Sequence, residues 1–362
     1  MRNIIKTLVV LFSASLFSIV AKAGELSVTG SATATYVMNG GSVHTGKGLG
    51  ISNELMFSAT GELDNGYSWK YHTELDMADG GAASNDDTAI VFTLGDLGTL
   101  GIYDAEGGLS TETGYGIGAV GVGQDYANTM TQTGMGTDIS ADTNITYVMP
   151  SGLLPFGIVG AVGYAPNTAD GQGNSAKSTG AVNAVDANGQ NATQYRLTAT
   201  PIDGLTLGAD YFEVGGATSA LGQEHTSGNY YAKYAIGNFK IGTFRGYMEN
   251  GVADKHASAS ADTATAKNGD RYDSDGLGIE FAVNDQMSIS YSEEEYERAD
   301  YTMGATATTK TTTSVTSEAT YIQAAYNIGG ATLGVALVDT DNSDFTAGQE
   351  EKRTVFSIAL EF

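Results

Sequence analysis

Apolar and polar residues alternate with a period of two along most of the chain, which is the pattern of a β-strand whose two faces meet different surroundings. In the C-terminal "RTVFSIALEF", Phe356, Ile358 and Phe362 share one face, whereas Arg353 and Ser357 share the other. Stretches such as "GLGIEFAV" and "GYSWKYHTEL" repeat the pattern. The alternation predicts roughly sixteen strands spread over the whole chain.

The segments between the predicted strands alternate in length. Short connections such as 201–204 and 237–238 are followed by long polar ones rich in Gly, Ala, Thr and Asp, which include 166–192, 249–272 and 296–316. Tight turns at one end and long loops at the other indicate an up-and-down antiparallel meander. No change in composition marks a second domain.

Aromatic residues recur near the ends of the predicted strands, for example Tyr36, Trp69, Tyr147 and Tyr291, and the opposite face carries Ser, Thr, Gly and scattered charge. Aromatic girdles and a polar inner face are typical of a transmembrane β-barrel, and closure of the sheet pairs every backbone group. A secreted soluble sandwich or solenoid is the alternative, but large aliphatic residues would then dominate the apolar face. The predicted fold class is all-β, a transmembrane antiparallel up-and-down β-barrel.

The N-terminus has the features of a secretory signal peptide. Arg2 and Lys6 precede a short apolar stretch, and the small residues "AKA" end at Ala23. Such a stretch is too short to span a membrane as a helix. We therefore expect cleavage after Ala23, with residues 1–23 as the signal peptide and 24–362 as a single barrel domain.

The chain is strongly acidic and has no cysteine. Its formal net charge is -25. Loss of the three basic residues of the signal peptide would move it to -28. This charge would repel nucleic-acid phosphates, so a nucleic-acid partner is not expected. Without cysteine, disulfides and thiolate metal sites are excluded.

Three stretches carry a resemblance to a known family: the N-terminal "ELSVTGSATATY", the hairpin "FTLGDLGTLGIYD" (92–104) and the final "TVFSIALEF", which ends on Phe362. They resemble the porins of the Gram-negative outer membrane, most of all the alpha-proteobacterial general diffusion porins. The resemblance implies a homotrimer of sixteen-stranded barrels in the bacterial outer membrane, with the third long loop of each folded into the lumen. It also implies that Phe362 is part of the signal that the barrel-assembly machinery recognises.

The segment 105–141 is the candidate for that constriction loop. It contains Gly116, Gly118 and Gly121 with the G-x-G-x-x-G spacing of a dinucleotide-binding loop. A nucleotide site would need a helix that begins within the motif and a βαβ unit behind it, whereas this segment is dense in glycine throughout. Glycine suits a segment that folds back against a wall with unusual dihedral angles.

Charged residues of the predicted strands are assigned to the lumen, because a charge on the lipid face near the bilayer midplane costs about 2–4 kcal/mol. The basic residues assigned to the lumen wall are Lys70, Arg196, Lys233, Lys240 and Arg353, and alternation assigns His72 to the same face. The acidic ones are Glu54, Glu74, Asp210 and Glu280. The resemblance implies that acids of the constriction loop face such a basic cluster, and the candidates are Glu106, Glu112, Asp125 and Asp138. Arg245 falls on the apolar register and requires a bulge or a position near the membrane interface.

Other motifs give weak indications of chemistry. The stretch "GSVHTGKG" approaches a phosphate-binding loop, but Gly48 replaces the required hydroxyl residue. The four histidines lack H-E-x-x-H spacing, and there is no G-x-S-x-G motif, so no enzyme activity and no organic cofactor are predicted. The stretch "NGDRYDSDG" gathers Asp270, Asp273 and Asp275 and is a candidate structural calcium site, although EF-hand spacing is not met.

The predicted function is passive diffusion of ions and small hydrophilic solutes through a water-filled channel. The excess of acid favours cations near the mouth, which predicts modest cation selectivity. The expected partners are outer-membrane lipid, the assembly machinery at the C-terminal strand, small hydrophilic solutes and cations. Two alternatives remain: a substrate-selective channel, and a structural or adhesive surface barrel with a plugged lumen.

Overall fold

The computed structural model describes residues 22–42, 45–77, 83–111, 116–117, 138–166, 191–215, 225–249, 267–303 and 310–362. These residues form a closed barrel of sixteen antiparallel strands. Each strand pairs with its neighbours in the sequence, and the first strand pairs with the last. The predicted fold class and strand number are therefore confirmed. No helix among the described residues is long and apolar enough to cross a membrane.

The strands have the following bounds: β1 Lys22–Gly41, β2 Gly46–Glu62, β3 Ser68–Met77, β4 Ala83–Thr93, β5 Thr99–Asp104, β6 Asn144–Val148, β7 Val159–Ala165, β8 Asn191–Ala199, β9 Leu205–Gly215, β10 Thr226–Ile236, β11 Phe239–Glu249, β12 Lys267–Ala282, β13 Met287–Met303, β14 Lys310–Ile328, β15 Ala331–Asp341 and β16 Glu350–Glu361.

Strands extend into two of the long loops predicted from the sequence. β13 continues to Met303 and β14 begins at Lys310, inside the predicted loop 296–316, and β12 begins at Lys267, inside the predicted loop 249–272. Stretches such as "SEEEYER" have no apolar face, so their hydrophobic pattern does not indicate a strand. Backbone pairing with the neighbouring strands nevertheless continues there, because ladder hydrogen bonds do not require apolar side chains.

The two faces of the barrel differ as the alternation predicts. Large apolar side chains point outward, and Leu277 and Ile322 are 58% and 52% exposed. Polar side chains on the same strands, such as Ser274 and Gln323, point inward and are buried. An apolar outer surface of this extent suits hydrocarbon rather than water.

Charged residues also lie on the outer face, toward the end with the long connections. Glu293, Glu295 and Glu297 of β13 are exposed, whereas the residues between them are buried on the inner face. Arg245 of β11 faces outward too, and its Cα partner on β12 is Asp275. The pairing of β11 is regular on both sides, so Arg245 needs no bulge. It lies at the level where acidic side chains begin to replace apolar ones.

The C-terminal residue closes the ring. The backbone N–H of Phe362 donates to the carbonyl oxygen of Gly30 at 3.0 Å, and the N–H of Gly30 donates to the carbonyl oxygen of Phe362 at 2.7 Å. The Phe362 ring is 68% exposed on the outer face. Recognition of Phe362 by the assembly machinery and cleavage after Ala23 stay predictions.

Candidate functional site

The segment that follows β5 is bound at its two ends by the carboxylate of Asp138. The backbone N–H of Leu109 donates to Asp138 Oδ1 at 3.1 Å, and that of Ser110 donates to Oδ2 at 2.7 Å. The N–H of Ser140 donates to Oδ1 at 3.0 Å. Asp138 was expected to face solutes, but its oxygens accept hydrogen bonds from the segment itself. Nearby, burial raises the pKa of Asp142 to about 6.

Asp210 of β9 holds the same segment against the inner wall. The backbone N–H and the hydroxyl of Thr111 donate to Asp210 Oδ1 at 2.7 and 2.6 Å, and Asn229 Nδ2 donates to it at 3.2 Å. Asp210 is only 8% exposed. It faces inward as predicted, but it serves as an acceptor that positions the segment rather than as a charge open to the lumen.

Gln194 of β8 joins the beginning of the segment to its end. Its Oε1 accepts hydrogen bonds from the N–H groups of Leu109 at 3.3 Å and Ile139 at 3.0 Å, and its side chain is fully buried. Bonds of this kind inside a protein cost considerable free energy to leave unmade, so they fix the course of the segment. The predicted candidates Glu112 and Asp125 lie outside the described residues.

Ile117 lies on the far side of the barrel from the start of the segment. It is 2% exposed and packs with Phe244, Met248, Tyr272 and Tyr296 of β11, β12 and β13, a group that we call the inner apolar cluster. In the ring of described strands β12 lies seven places from β5, where the segment starts. The described residues therefore follow the inner wall past β8, β9 and β10 to the inner apolar cluster.

The opposite wall carries a group of carboxylates that we call the acidic wall. Glu54, Glu74 and Asp76 place one carboxylate oxygen each within 4.8 Å of one another, and Glu74, Asp86 and Asp87 do the same. The sequence predicted Glu54 and Glu74. The sequence does not indicate Asp86 and Asp87, because its alternation predicts this strand only over 88–96, whereas β4 begins at Ala83 and its pairing with β3 shifts register beyond Thr73.

Glu106 extends the acidic wall onto the segment after β5. Its Oε2 lies 2.6 Å from His72 Nε2 on β3. The His72 side chain is 6% exposed and faces inward, as predicted from the alternation. Two of the predicted acids of the segment, Glu106 and Asp138, are described. Of these two, Glu106 contacts the strand that carries Glu74 and Asp76.

The predicted basic residues are not gathered in one cluster. Lys240 Nζ lies 3.0 Å from Glu280 Oε2, and Arg353 forms an ion pair with Glu351. Lys233 lines the same crevice as Lys240, near the short turns. The two others are Lys70 on β3 and Arg196 on β8, and neither lines this crevice. Two of the five cations are thus paired with neighbouring acids of the wall.

The candidate calcium residues belong to a strand rather than to the predicted loop. Asp270, Asp273 and Asp275 are part of β12. Both oxygens of Asp273 accept hydrogen bonds from Arg271, each at 2.8 Å. Alternation with a period of two puts Asp273 and Asp275 on one face of the strand and position 270 on the other, which is a poor arrangement for surrounding one ion. Calcium binding by these residues stays a prediction.

Comparison with known proteins gives a likeness in structure alone. No family model matches the sequence, and no curated protein matches it. The in-vitro folded OmpT of Vibrio cholerae, an outer membrane protein in its trimer form, has a TM-score of 0.61 at 14% identity over 94% of this chain and 100% of its own. The anion-selective porin from Comamonas acidovorans gives 0.61 at 15% identity over 94% and 100%. OmpF of Salmonella typhi in complex with daunomycin gives 0.60 at 12% identity over 94% and 98%. The chain therefore has the barrel fold of solved outer-membrane proteins that include porins.

Proposed function

We propose that this protein is an outer-membrane channel through which ions and small hydrophilic solutes diffuse passively, with a preference for cations. The observation that carries the proposal is the acidic wall inside a closed barrel with an apolar outer surface. A barrel of this kind satisfies its backbone hydrogen bonds in lipid, and its polar inner face can hold water.

The preference for cations rests on the charge of the acidic wall. Among the described residues, no ion pair includes Glu54, Glu74, Asp76, Asp86 or Asp87. Two like charges 4 Å apart repel by roughly 4 kcal/mol at the effective dielectric constant of a protein surface. Mobile cations that enter the lumen relieve this repulsion, so their local concentration rises above that of anions.

The fold by itself does not determine the sign of selectivity, since one of the solved proteins with this barrel is an anion-selective porin. The sign must follow from the charges that each chain places inside its barrel. Here the carboxylates are grouped on β2, β3 and β4, whereas the basic side chains are dispersed and partly paired. This distribution of charge favours the passage of cations over that of anions.

A homotrimer is part of the proposal, because one sector of the barrel has very short strands. β5, β6 and β7 contain 6, 5 and 7 residues, whereas β12, β13 and β14 contain 16, 17 and 19. A strand needs about 9–11 residues to span a bilayer, and irregular backbone cannot face lipid. Contact with another copy would cover the short sector, and the OmpT that shares the fold is described in a trimer form.

The test is the single-channel conductance of the refolded protein in a planar bilayer. We expect stable open steps that commonly occur in groups of three, as separate pores of one trimer. A silent bilayer, obtained with a protein that keeps the heat-resistant migration of a folded barrel, would contradict the channel and favour the plugged or adhesive barrel. If one solute blocked the current and the block saturated as its concentration rose, the protein would instead be a substrate-selective channel.

A further inference from the structure

The connection between β15 and β16 has an unusual backbone. Asn342, Asp344 and Phe345 have φ angles of 53°, 52° and 53°, in the left-handed region that side chains other than glycine rarely adopt. Residues in this region persist only where their surroundings hold them. The contacts of the connection Asn342–Gly348 therefore indicate why it is held in this form.

Side-chain hydrogen bonds hold this connection against the inner face of neighbouring strands. Asn342 Nδ2 donates to the carbonyl oxygen of Thr316 on β14 at 2.7 Å, and Asn342 Oδ1 accepts from the N–H of Gly348 at 2.9 Å. The Ser343 hydroxyl donates to Glu351 Oε2 at 3.1 Å, and Ser343 is 1% exposed. Glu351 is buried on the inner face of β16. The turn is therefore fastened on the lumen side of the sheet.

Phe345 extends from this turn to the inner apolar cluster. Its ring lies edge-on to Tyr272 of β12, with the ring centroids 5.5 Å apart, and it packs against the cluster that contains Ile117. β12 is three strands away from β15, and neighbouring strands are about 4.8 Å apart, so the turn reaches roughly 15 Å along the inner wall.

Two connections that are distant in the sequence therefore dock on the same inner surface. Ile117 comes from the segment after β5 and Phe345 from the connection before β16, and both contact one cluster on β11, β12 and β13. In the ring of described strands, β11 lies eight places from β3, so this surface faces the acidic wall across the barrel.

We propose that the connection Asn342–Gly348 is a second lumen element, which together with Ile117 and the other described residues of the segment after β5 narrows the pore and confines passage to the side of the acidic wall. This inference rests on the proposed function. It assigns Phe345 a role in setting pore width: the ring holds the last connection inward, over β13 and β14. A permeating solute then meets carboxylates on one side and docked loops on the other, which favours small cations over bulky neutral solutes.

The position of Phe345 can be tested without any current. The chain has no cysteine, so the double variant Tyr272→Cys with Phe345→Cys contains the only two thiols. Dibromobimane becomes strongly fluorescent when it bridges two nearby thiols. We expect bridging in this pair and none in the control pair Tyr272→Cys with Phe156→Cys, because Phe156 lies in a short connection at the other end of the barrel. Equal, low fluorescence in both pairs, with each single variant reactive toward monobromobimane, would overturn the proposal.

The effect of Phe345 on pore width is tested by Phe345→Gly. The matched control is Phe156→Gly: Phe156 has a φ of 63° in an equally short 3-10 turn and is 66% exposed. Both substitutions place glycine at a position with a left-handed backbone and remove an aromatic ring. Only the first removes a contact that holds a connection against the inner apolar cluster. We expect single-channel conductance to rise roughly 1.5-fold in Phe345→Gly and to stay unchanged in Phe156→Gly.

The two readouts separate the failure of this inference from failure of the proposed function. Conductance that is the same in Phe345→Gly and in the wild type would overturn the role in pore width. A wild-type protein that conducts nothing, together with bridged thiols in the variant Tyr272→Cys with Phe345→Cys, would contradict the channel and leave the inward position of the connection intact.

Discussion

The acidic wall and the inner apolar cluster lie on opposite sides of one barrel, and they are made by the same alternation of residues. On β3, Glu74 and Asp76 face inward, and on β12 and β13, Tyr272 and Tyr296 do so as well. On the acidic wall, Glu54, Glu74, Asp76, Asp86 and Asp87 have no ion-pair partner among the described residues, whereas two connections cover the apolar cluster. The backbone thus decides which side chains face the lumen, and the connections decide which of those meet water.

The two walls have opposite energetic requirements. Carboxylates within 4.8 Å of one another need water and counter-ions, since their repulsion in a dry interior would be far larger. The apolar cluster gains about 25 cal/mol for each Å² of apolar surface removed from water, which stabilises the docked segments. Substitutions that uncover the apolar cluster should therefore lower the free energy of unfolding, whereas those that neutralise the acidic wall should change ion selectivity.

The largest effect is expected from Asp210→Ala, which removes the acceptor that holds Thr111 between the two walls. Hydrogen bonds to a charged group contribute about 1.5–3 kcal/mol each and are not additive, so we expect a loss of roughly 3 kcal/mol in the free energy of unfolding. The freed segment should also make the open channel noisy. Urea unfolding and current noise measure both effects.

The control for this prediction is Asp210→Asn, which keeps one carbonyl acceptor. Its free energy of unfolding should fall by less than that of Asp210→Ala. If the alanine variant unfolds and conducts as the wild type does, Asp210 does not position the segment.

A smaller effect is expected from Gly278→Ala, which acts on the apolar side alone. A Cβ atom at this position would lie 2.4 Å from Ile117 Cγ2, too close to be accommodated without displacement. Overpacking of this kind typically costs about 1–3 kcal/mol. The control is Gly48→Ala on β2, where a Cβ atom would have no neighbour within 4 Å. Equal unfolding free energies for the two variants would contradict the docking of Ile117 at Gly278.

The smallest effect is expected from Lys240→Met, which breaks a partly exposed ion pair near the short turns. The side chains of Lys240 and Glu280 are 34% and 17% exposed, so the loss in unfolding free energy should stay below about 1 kcal/mol. Because Glu280 is left uncompensated, the preference for cations should increase slightly. Reversal potentials measured beside those of Lys352→Met, which removes an exposed pair on the outer face, would isolate the contribution of the lumen.

The sequence predicts the barrel and the inward positions well, because both follow from alternation with a period of two. Alternation alone is enough to predict that His72, Asp210 and Glu280 face inward. What alternation cannot give is the partner of each side chain: Asp138 and Asp210 look like free lumen charges until the segment after β5 is folded against them. Register shifts are also invisible, which is why Asp86 and Asp87 were assigned to a loop. Phe345 lies in the polar stretch "DNSDFTAGQ", and no pattern there indicates that it turns inward.

The most direct test compares two sets of three carboxylates by reversal potential in a potassium chloride gradient. The inner set is Glu74→Gln, Asp76→Asn and Asp87→Asn, and the outer set is Glu293→Gln, Glu295→Gln and Glu297→Gln, so that the net charge changes equally. At salt above about 0.1 M, where the Debye length is about 10 Å or less, the outer charges are screened from the lumen. We predict a cation preference in the wild type, a loss of about half of it or more in the inner triple variant, and no change in the outer one. An anion preference in the wild type, or equal changes in both variants, would contradict the role of the acidic wall.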